Sequence, residues 1–501
     1  MQNPAMQSLA TAAGLSMRNA GSDANSQAKT NMSNSKAAAG PAEAASGASP
    51  SSGIVGASQL LPMHGEPGNA QVLFDYGLRF ENGMILEIAP YEQLAGEAAQ
   101  HQSRQQSREP LHCEFLEGHI LLPGLVNCHG HAAMSLLRGF ADDQPLQDWL
   151  EKHIWPAEAA LVDEDFVRDG ATLAIAEMLQ SGTTTFSDMY FFPDVTAAVA
   201  EQAGMRAQIN FPVLEFASAW ASDAEDYLSK GLDLRDAFRH SERVEIGFGP
   251  HAPYTVADQT FARVAVLAAE VDAPIQVHLQ ETSSEIAQSH SEHGCSPVQR
   301  LHKLGVLGPR TQAVHLVHFT PQDIELLRES NTSAVHCPAS NAKLCSGYCN
   351  TGALLKAGLN VGLGTDSGAS NNTLDLFDAA RLAALLAKLG GDASALPAWQ
   401  CLYMATQGGA NVLGMGDRIG SLATGKCADF IAVDTRSAAL QPLHEAASQL
   451  IYTRAGSAVS HAWVAGRCLL RGRQLLSIDN EALLRQTAFW REQITQRVVH
   501  G

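Results

Sequence analysis

The strongest constraint on the fold is a regular alternation of strand-like and helix-like stretches between residues 120 and 422. Short apolar runs indicate buried strands, and longer runs such as 166–180 and 377–389 indicate helices. The eight predicted strands are the segment ending at Asn127 and residues 183–186, 206–209, 244–248, 275–278, 313–316, 333–336 and 361–363. Eight strand–helix units in one continuous stretch predict an α/β fold, a (β/α)8 barrel of the TIM type.

The flanks of this stretch differ from it in composition. Residues 1–52 are rich in Ala, Ser, Asn and Gly and poor in large apolar residues, so we expect a disordered N-terminal extension that is not a secretory signal. Short strand candidates fill residues 53–119 and return after residue 425, and a helix is expected over 480–499. The predicted divisions are therefore 1–52, 53–119, the barrel at 120–424, and 425–501.

The charge and cysteine content exclude several classes of partner. The net charge is −19, from 33 basic and 52 acidic residues, and such a surface repels the phosphate backbone of nucleic acids. No window approaches the roughly 18 consecutive apolar residues of a membrane span. The nine cysteines form no paired framework, and even the pair Cys345 and Cys349 lacks a zinc-finger partner pair. We therefore expect reduced thiols in a cytoplasmic protein that binds neither nucleic acid nor membrane.

Polar residues lie where the predicted barrel strands end, and barrel enzymes carry their active sites at that end. His129 and His131 follow the first strand, and His278, His315 and Asp366 follow the fifth, sixth and eighth strands. Imidazole nitrogens with one carboxylate suit zinc or ferrous iron better than magnesium or calcium. Each residue alone is often structural, but their joint occurrence in this order predicts one divalent metal per chain, zinc or alternatively iron.

A bound metal lowers the pKa of its water toward ~7, and the reaction then needs groups that move protons. Glu281, three residues after His278, is the best candidate for the general acid and base, although it could instead cap the following helix. Asp366 can bind the metal and also accept a proton from the water. His315 is either a fourth ligand or a hydrogen-bond partner of the water, and the second role is favoured because the other residues already supply four ligands.

Four motifs within residues 54–475 carry a family resemblance: 124–131 (GLVNCHGH), 278–282 (HLQET), 336–341 (HCPASN) and 364–372 (GTDSGASNN). They resemble the amidohydrolase superfamily, and within it the group of 5'-methylthioadenosine and S-adenosylhomocysteine deaminases with their triazine-hydrolase relatives. The resemblance implies that the two flanks form one composite β-sandwich. It also implies metal binding by His129, His131, His278 and Asp366, a proton shuttle at Glu281, and a water-orienting role for His315.

Two further segments mark the deaminase group. Residues 155–158 (WPAE) resemble the segment whose glutamate binds the ribose hydroxyls, so Glu158 is expected there; otherwise it is an ordinary acid in a first helical turn. Residues 249–254 (GPHAPY) resemble the segment whose histidine contacts the purine, which implies the same for His251 unless it is only structural. Some members carry an arginine after the third strand that holds the far end of the substrate. Residues 216–231 contain none, which favours the neutral methylthio substrate.

These observations predict a hydrolytic deaminase of an adenine nucleoside thioether, 5'-methylthioadenosine or S-adenosylhomocysteine, that releases ammonia and the inosine analogue. Glu281 and Asp366 would then also contact the reacting part of the purine. The alternative on the same scaffold is a triazine or guanine-type aminohydrolase or chlorohydrolase. A non-catalytic barrel would be expected to have lost Glu281 or a metal ligand, and both are present. We also expect a homo-oligomer.

Overall fold

The structure is a computed structural model that describes residues 51–65, 71–104 and 111–499. Residues 1–50 of the predicted disordered extension lie outside the described ranges. The strands in chain order are β1 (Gly53–Leu60), β2 (Leu73–Glu81), β3 (Met84–Pro90), β4 (Cys113–Pro123), β5 (Leu125–Asn127), β6 (Thr183–Asp188), β7 (Arg206–Val213), β8 (Val244–Pro250), β9 (Ile275–Leu279), β10 (Thr311–His315), β11 (Ser333–His336), β12 (Val361–Leu363), β13 (Phe430–Asp434), β14 (Val459–Val464), β15 (Arg467–Arg471) and β16 (Gln474–Leu475).

Strands β5 to β12 form one parallel sheet in sequence order. The sheet closes on itself where the Cys128 amide donates a 2.8 Å hydrogen bond to the Leu363 carbonyl. Nearly every residue of these strands is buried, as expected when side chains fill the barrel on one face and helices cover the other. The predicted (β/α)8 barrel is confirmed.

Helices cover the outside of the barrel and continue into the C-terminal flank. Their starts carry the expected caps, for example the Asp163 carboxylate accepting from the Phe166 amide and a capping box at Ser296. The helices after β5 are Leu146–Trp149, Trp155–Leu161, Glu164–Gln180, Pro193–Ala203, Ala224–Phe238, Asp258–Glu270, Ser283–His293, Pro297–Lys303, Pro321–Glu329, Pro338–Lys343, Thr351–Lys356, Leu376–Lys388, Ala398–Ala405, Gln407–Val412, Ala446–Tyr452 and Asn480–Ile494. None of the helices in the described ranges is long and apolar enough to cross a membrane.

The two flanks of the barrel share one eight-stranded sheet in the order β16-β15-β14-β13-β4-β1-β2-β3. Strand β13 from the C-terminal flank pairs with β4 from the N-terminal flank, so the sheet needs both ends of the chain. The sheet has a core of its own, in which the Phe430 ring stacks on Trp463 with centroids 4.4 Å apart and meets Phe80 edge-on. This arrangement confirms the composite flanking domain.

A buried ion pair joins the flanking sheet to the barrel. The Arg206 guanidinium at the start of β7 donates two hydrogen bonds, of 2.8 and 3.2 Å, to the Asp429 carboxylate just before β13. Both side chains are only 2% exposed.

The N-terminal flank also contains a helix where the sequence indicated only strands and turns. It spans Tyr91–Arg104 and packs its Leu94 side chain against Ile54 and Ala89. Leu94 is the one large aliphatic residue of this helix, so its buried face is hard to recognise in the sequence.

Candidate active site and metal centre

The predicted polar residues all lie at the carboxyl end of the barrel. His129 and His131 follow β5, His278 is the penultimate residue of β9, and His315 is the last residue of β10. Asp366 comes three residues after the end of β12. Because all eight strands run parallel, these ends meet at one mouth of the barrel, where the residues can share one ligand.

The side chains converge at hydrogen-bonding and coordination distances. The Asp366 Oδ1 atom lies 3.3 Å from His131 Nε2 and 3.6 Å from His129 Nε2. The Nε2 atoms of His129 and His278 lie 3.1 Å apart. Two overlapping sets of donors could hold a metal ion, His129 with His131 and Asp366, and His129 with His278 and His315.

The imidazoles are oriented by partners behind them. Two Nδ1 atoms face side-chain oxygens: that of His129 faces Gln276 at 2.7 Å, and that of His315 faces Asn341 at 2.8 Å. The other two face backbone carbonyls: that of His131 faces Met189 at 2.5 Å, and that of His278 faces His251 at 2.8 Å. Since each partner is an acceptor, each Nδ1 carries a proton and each Nε2 faces the centre.

This arrangement suits a divalent cation. Several Nε2 lone pairs and one carboxylate oxygen face each other across about 3 to 4 Å, as the distances above show, which is unfavourable without a positive charge between them. Burial, reinforced by the neighbouring histidines, lowers the pKa of His278 well below its usual range. The imidazole is therefore neutral, the form that binds metals.

Glu281 lies in the loop between β9 and the next helix, with its carboxylate in the same pocket. Its Oε1 atom accepts a 2.9 Å hydrogen bond from the Ser346 hydroxyl, and its Oε2 atom lies 3.7 Å from His315 Nε2. Burial and the nearby Asp366 charge raise the pKa of Glu281 to about 8. A carboxyl group that is protonated near neutral pH can act as an acid as well as a base.

The alternative role of Glu281 as a helix cap is wrong. The cap of the helix Ser283–His293 is Thr282, whose side chain accepts from the Glu285 amide. The Glu285 carboxylate in turn accepts from the amides of Gln280 and Glu281, at 2.8 and 2.9 Å. The Glu281 side chain is thus left free of helix capping and points into the pocket.

The residues expected to contact the nucleoside line the same pocket. Glu158 lies in the helix Trp155–Leu161, and its Oε1 accepts a 2.7 Å hydrogen bond from the Tyr190 hydroxyl. Burial raises the pKa of Glu158 to about 7. The His251 Nδ1 faces the Thr255 hydroxyl at 2.9 Å, and its ring packs against that of His278 with centroids 4.9 Å apart.

Much of the pocket wall is apolar. It includes Trp149, Leu150, Phe191, Leu214 and Phe216. Within the part of the chain that the structure describes, no lysine or arginine lines this pocket.

Several residues of the site were not found from the sequence. Gln276 could have been, because it lies two residues before His278 on the same strand and so shares its inward face. Asn341 lies in the short helix Pro338–Lys343, and Ser346 and Tyr190 lie in loops. No hydrophobic periodicity in the sequence identifies such positions. Asp188 at the end of β6 accepts from the amide of Ala132 at 2.6 Å and so fixes the turn after His131.

The comparisons with known proteins agree with this geometry. The Amidohydrolase family model matches residues 120–469. A 5-methylthioadenosine/S-adenosylhomocysteine deaminase of Teredinibacter turnerae is 51% identical over 76% of this chain and 86% of its own length. A protein of the same name from Saccharophagus degradans is 45% identical over 89% and 98%. A 5'-deoxyadenosine deaminase of Methanosarcina mazei is 41% identical over 76% and 88%.

Solved structures show the same fold. An adenosine deaminase from Xanthomonas campestris, determined with bound zinc, superposes with a TM-score of 0.83 at 42% identity, covering 88% of this chain and 98% of that one. An atrazine chlorohydrolase from Arthrobacter aurescens superposes with a TM-score of 0.78 at 23% identity, over 87% and 99%, and at that identity it shows the fold alone. The barrel, its flanking sheet and the family match lead to one conclusion: the chain belongs to the amidohydrolase family.

Proposed function

We propose that the protein is a metal-dependent deaminase of adenine nucleoside thioethers, with 5'-methylthioadenosine as the preferred substrate and S-adenosylhomocysteine as a second one. The observation that carries the proposal is one pocket whose lining contains Glu281 and Asp366, each beside a histidine, together with the Glu158 carboxylate. The deaminase names of the relatives at 41–51% identity support it.

We assign the metal ligands to His129, His131, His278 and Asp366. Zinc is the first choice, because imidazoles with one carboxylate suit it and the adenosine deaminase of Xanthomonas campestris was solved with it; iron(II) fits the same donor set. When bound, the cation would lower the pKa of a water molecule to near neutrality.

The carboxyl groups of Glu281 and Asp366 carry out the proton transfers. Glu281, protonated near neutral pH, donates a proton to N1 of the adenine ring while a water oxygen adds to C6. Asp366 accepts the proton that this water loses, and His315 holds the water by a hydrogen bond. Asp366 then passes this proton to the amino nitrogen, while the ionised Glu281 takes the remaining proton of the C6 hydroxyl. The C6–N bond breaks, and ammonia leaves with the carbonyl formed at C6.

Residues in the pocket wall bind the nucleoside. Glu158 accepts hydrogen bonds from the two ribose hydroxyls, a contact that suits a carboxylate facing a vicinal diol. His251, whose pKa burial and the neighbouring histidines lower to about 3, stays neutral and contacts the purine. The apolar side chains beyond them would enclose a methylthio group.

The 5' arm of the substrate is the point at which the two thioethers differ. A homocysteine arm carries an ammonium and a carboxylate, and burying such charges without partners is costly. The described lining offers no lysine or arginine to the carboxylate. The neutral methylthio arm has no such cost, so we expect it to be favoured.

We propose that the protein is located in the cytoplasm. All nine cysteines are free thiols, including the exposed Cys113 and Cys345. Exposed thiols persist in a reducing environment.

A substrate panel tests the proposed function. Ammonia release would be measured with 5'-methylthioadenosine, S-adenosylhomocysteine, adenosine and guanine, and chloride release with a chlorotriazine, on one zinc-loaded preparation. We expect the highest kcat/KM for 5'-methylthioadenosine. Bases without ribose should be turned over slowly, because they offer no hydroxyl groups to the Glu158 carboxylate. Preference for guanine or the chlorotriazine would overturn the nucleoside assignment.

A further inference from the structure

Among the described residues, one hydrogen bond holds the Glu281 carboxylate, and it reaches one of the two oxygens. Its Oε1 atom accepts a 2.9 Å hydrogen bond from the Ser346 hydroxyl, and both side chains are buried. Its Oε2 atom faces His315 Nε2 at 3.7 Å. In the described part of the chain the Ser346 hydroxyl makes this hydrogen bond alone, so its proton is directed at Oε1.

The backbone of Ser346 is itself tied to the loop that carries Glu281. The Ser346 carbonyl faces the His318 ring nitrogen Nε2 at 2.8 Å, and the His318 amide donates to the Gln280 carbonyl at 3.0 Å. The Gln280 side-chain amide donates to the carbonyl of His318. Gln280 precedes Glu281, so the contacts form a closed ring from the carboxylate back to its own backbone.

The same short segment holds a second residue of the site. The Ser346 amide donates to the Asn341 carbonyl at 2.9 Å, and the Asn341 side-chain oxygen faces His315 Nδ1 at 2.8 Å. The turn that brings Ser346 back toward Glu281 needs Gly347, whose φ is +129° and where an added Cβ would lie 2.8 Å from Val317.

We propose that Ser346 is a positioning residue for the proton shuttle Glu281. The inference rests on the proposed function, in which Glu281 moves protons to and from the substrate. Donation by the hydroxyl to Oε1 makes that oxygen an acceptor, so the transferable proton resides on Oε2, on the side of His315 and the pocket. The bond also fixes a side chain that otherwise has three rotatable bonds, and misplacement of a catalytic group by about 1 Å can cost 10²-fold in rate.

Steady-state kinetics of Ser346→Ala, Ser346→Thr and Ser346→Cys test this role. We expect Ser346→Ala to lower kcat by about tenfold to a hundredfold with KM little changed. Ser346→Thr, which keeps the hydroxyl, should recover most of the loss, and Ser346→Cys, a weak donor, should lie between. The matched control is Ser421→Ala, which removes a buried hydroxyl that has no hydrogen-bond partner among the described residues.

A double-mutant cycle separates positioning from support of the fold. In a Glu281→Gln background the alanine substitution should cost no further kcat, because the group it positions is already inactive. Equal losses in both backgrounds, or a Ser346→Ala kcat within about twofold of wild type, would overturn the proposal. Should Ser346→Ala not fold, the same comparison is made with Ser346→Cys.

The substrate of this test is whichever compound of the panel the wild-type enzyme turns over fastest. Failure of the nucleoside assignment alone therefore leaves the test of Ser346 intact. Absence of turnover with every compound would overturn both proposals.

Discussion

The Tyr190 hydroxyl donates a 2.7 Å hydrogen bond to the Glu158 carboxylate in the wall of the catalytic pocket. The two residues come from different parts of the barrel mouth, since Tyr190 follows β6 and Glu158 lies in the helix Trp155–Leu161. The bond holds one carboxylate oxygen, and Glu158 remains among the residues that line the pocket. A half-buried carboxylate with one donor among the described residues is suited to accept further hydrogen bonds from a ligand.

Glu158→Ala should therefore lower kcat/KM for nucleosides far more than for free bases. Hydrogen bonds to a charged group contribute about 1.5–3 kcal/mol each, so kcat/KM for 5'-methylthioadenosine should fall by at least about tenfold. Adenine never makes these contacts, and its rate should barely change. Ammonia release from both compounds gives the ratio of the two losses. Equal losses would mean that Glu158 supports the fold and does not bind ribose.

The same carboxylate predicts a pH dependence of nucleoside binding. Because burial raises the pKa of Glu158 to about 7, the group carries its proton below that pH and is then a poorer acceptor. KM for 5'-methylthioadenosine should rise as the pH falls below about 7 and level off above it. In Glu158→Gln, which does not titrate there, this rise should be absent. The same KM profile in both proteins would assign the titration to another group.

Glu281→Gln should keep the metal and lose most turnover. Glutamine has nearly the same shape but cannot carry the proton, and loss of a general acid and base costs roughly 10²–10⁴-fold in kcat. Metal analysis and ammonia release on the same sample check both parts. A variant within a few-fold of wild type would show that Glu281 is not the shuttle.

The predictable parts of this protein are those that local periodicity or strand order encodes. Apolar runs located the strands, and parallel strands bring their carboxyl ends together, so His129, His278 and Asp366 could be grouped without knowledge of the packing. The helix Tyr91–Arg104 was missed because few apolar residues mark its buried face.

The supporting contacts depend on loop geometry, which periodicity does not encode. Asn341 and Ser346 reach His315 and Glu281 across 26 and 65 residues of sequence. Only the fold shows that one short segment, residues 341–346, serves both.

The ion pair between the barrel and the flanking sheet gives a stability prediction. Asp429→Ala leaves the Arg206 guanidinium buried without its carboxylate, and removal of one partner of a buried pair costs about 3–5 kcal/mol. The free energy of unfolding, measured in urea, should fall by that order, while Asp236→Ala, which breaks a pair with Arg239 at the exposed surface, should change it by less than about 1 kcal/mol. Equal effects of the two substitutions would contradict this assignment.

Ammonia release from 5'-methylthioadenosine as a function of metal content tests the central claim most directly. Chelation should abolish activity, and zinc or iron(II) added back should restore it in proportion to occupancy, to a maximum near one ion per chain, because the donors form a single centre. The inosine analogue should appear in equal amount with the ammonia. Full activity in a demonstrably metal-free sample would contradict a metal-dependent deaminase.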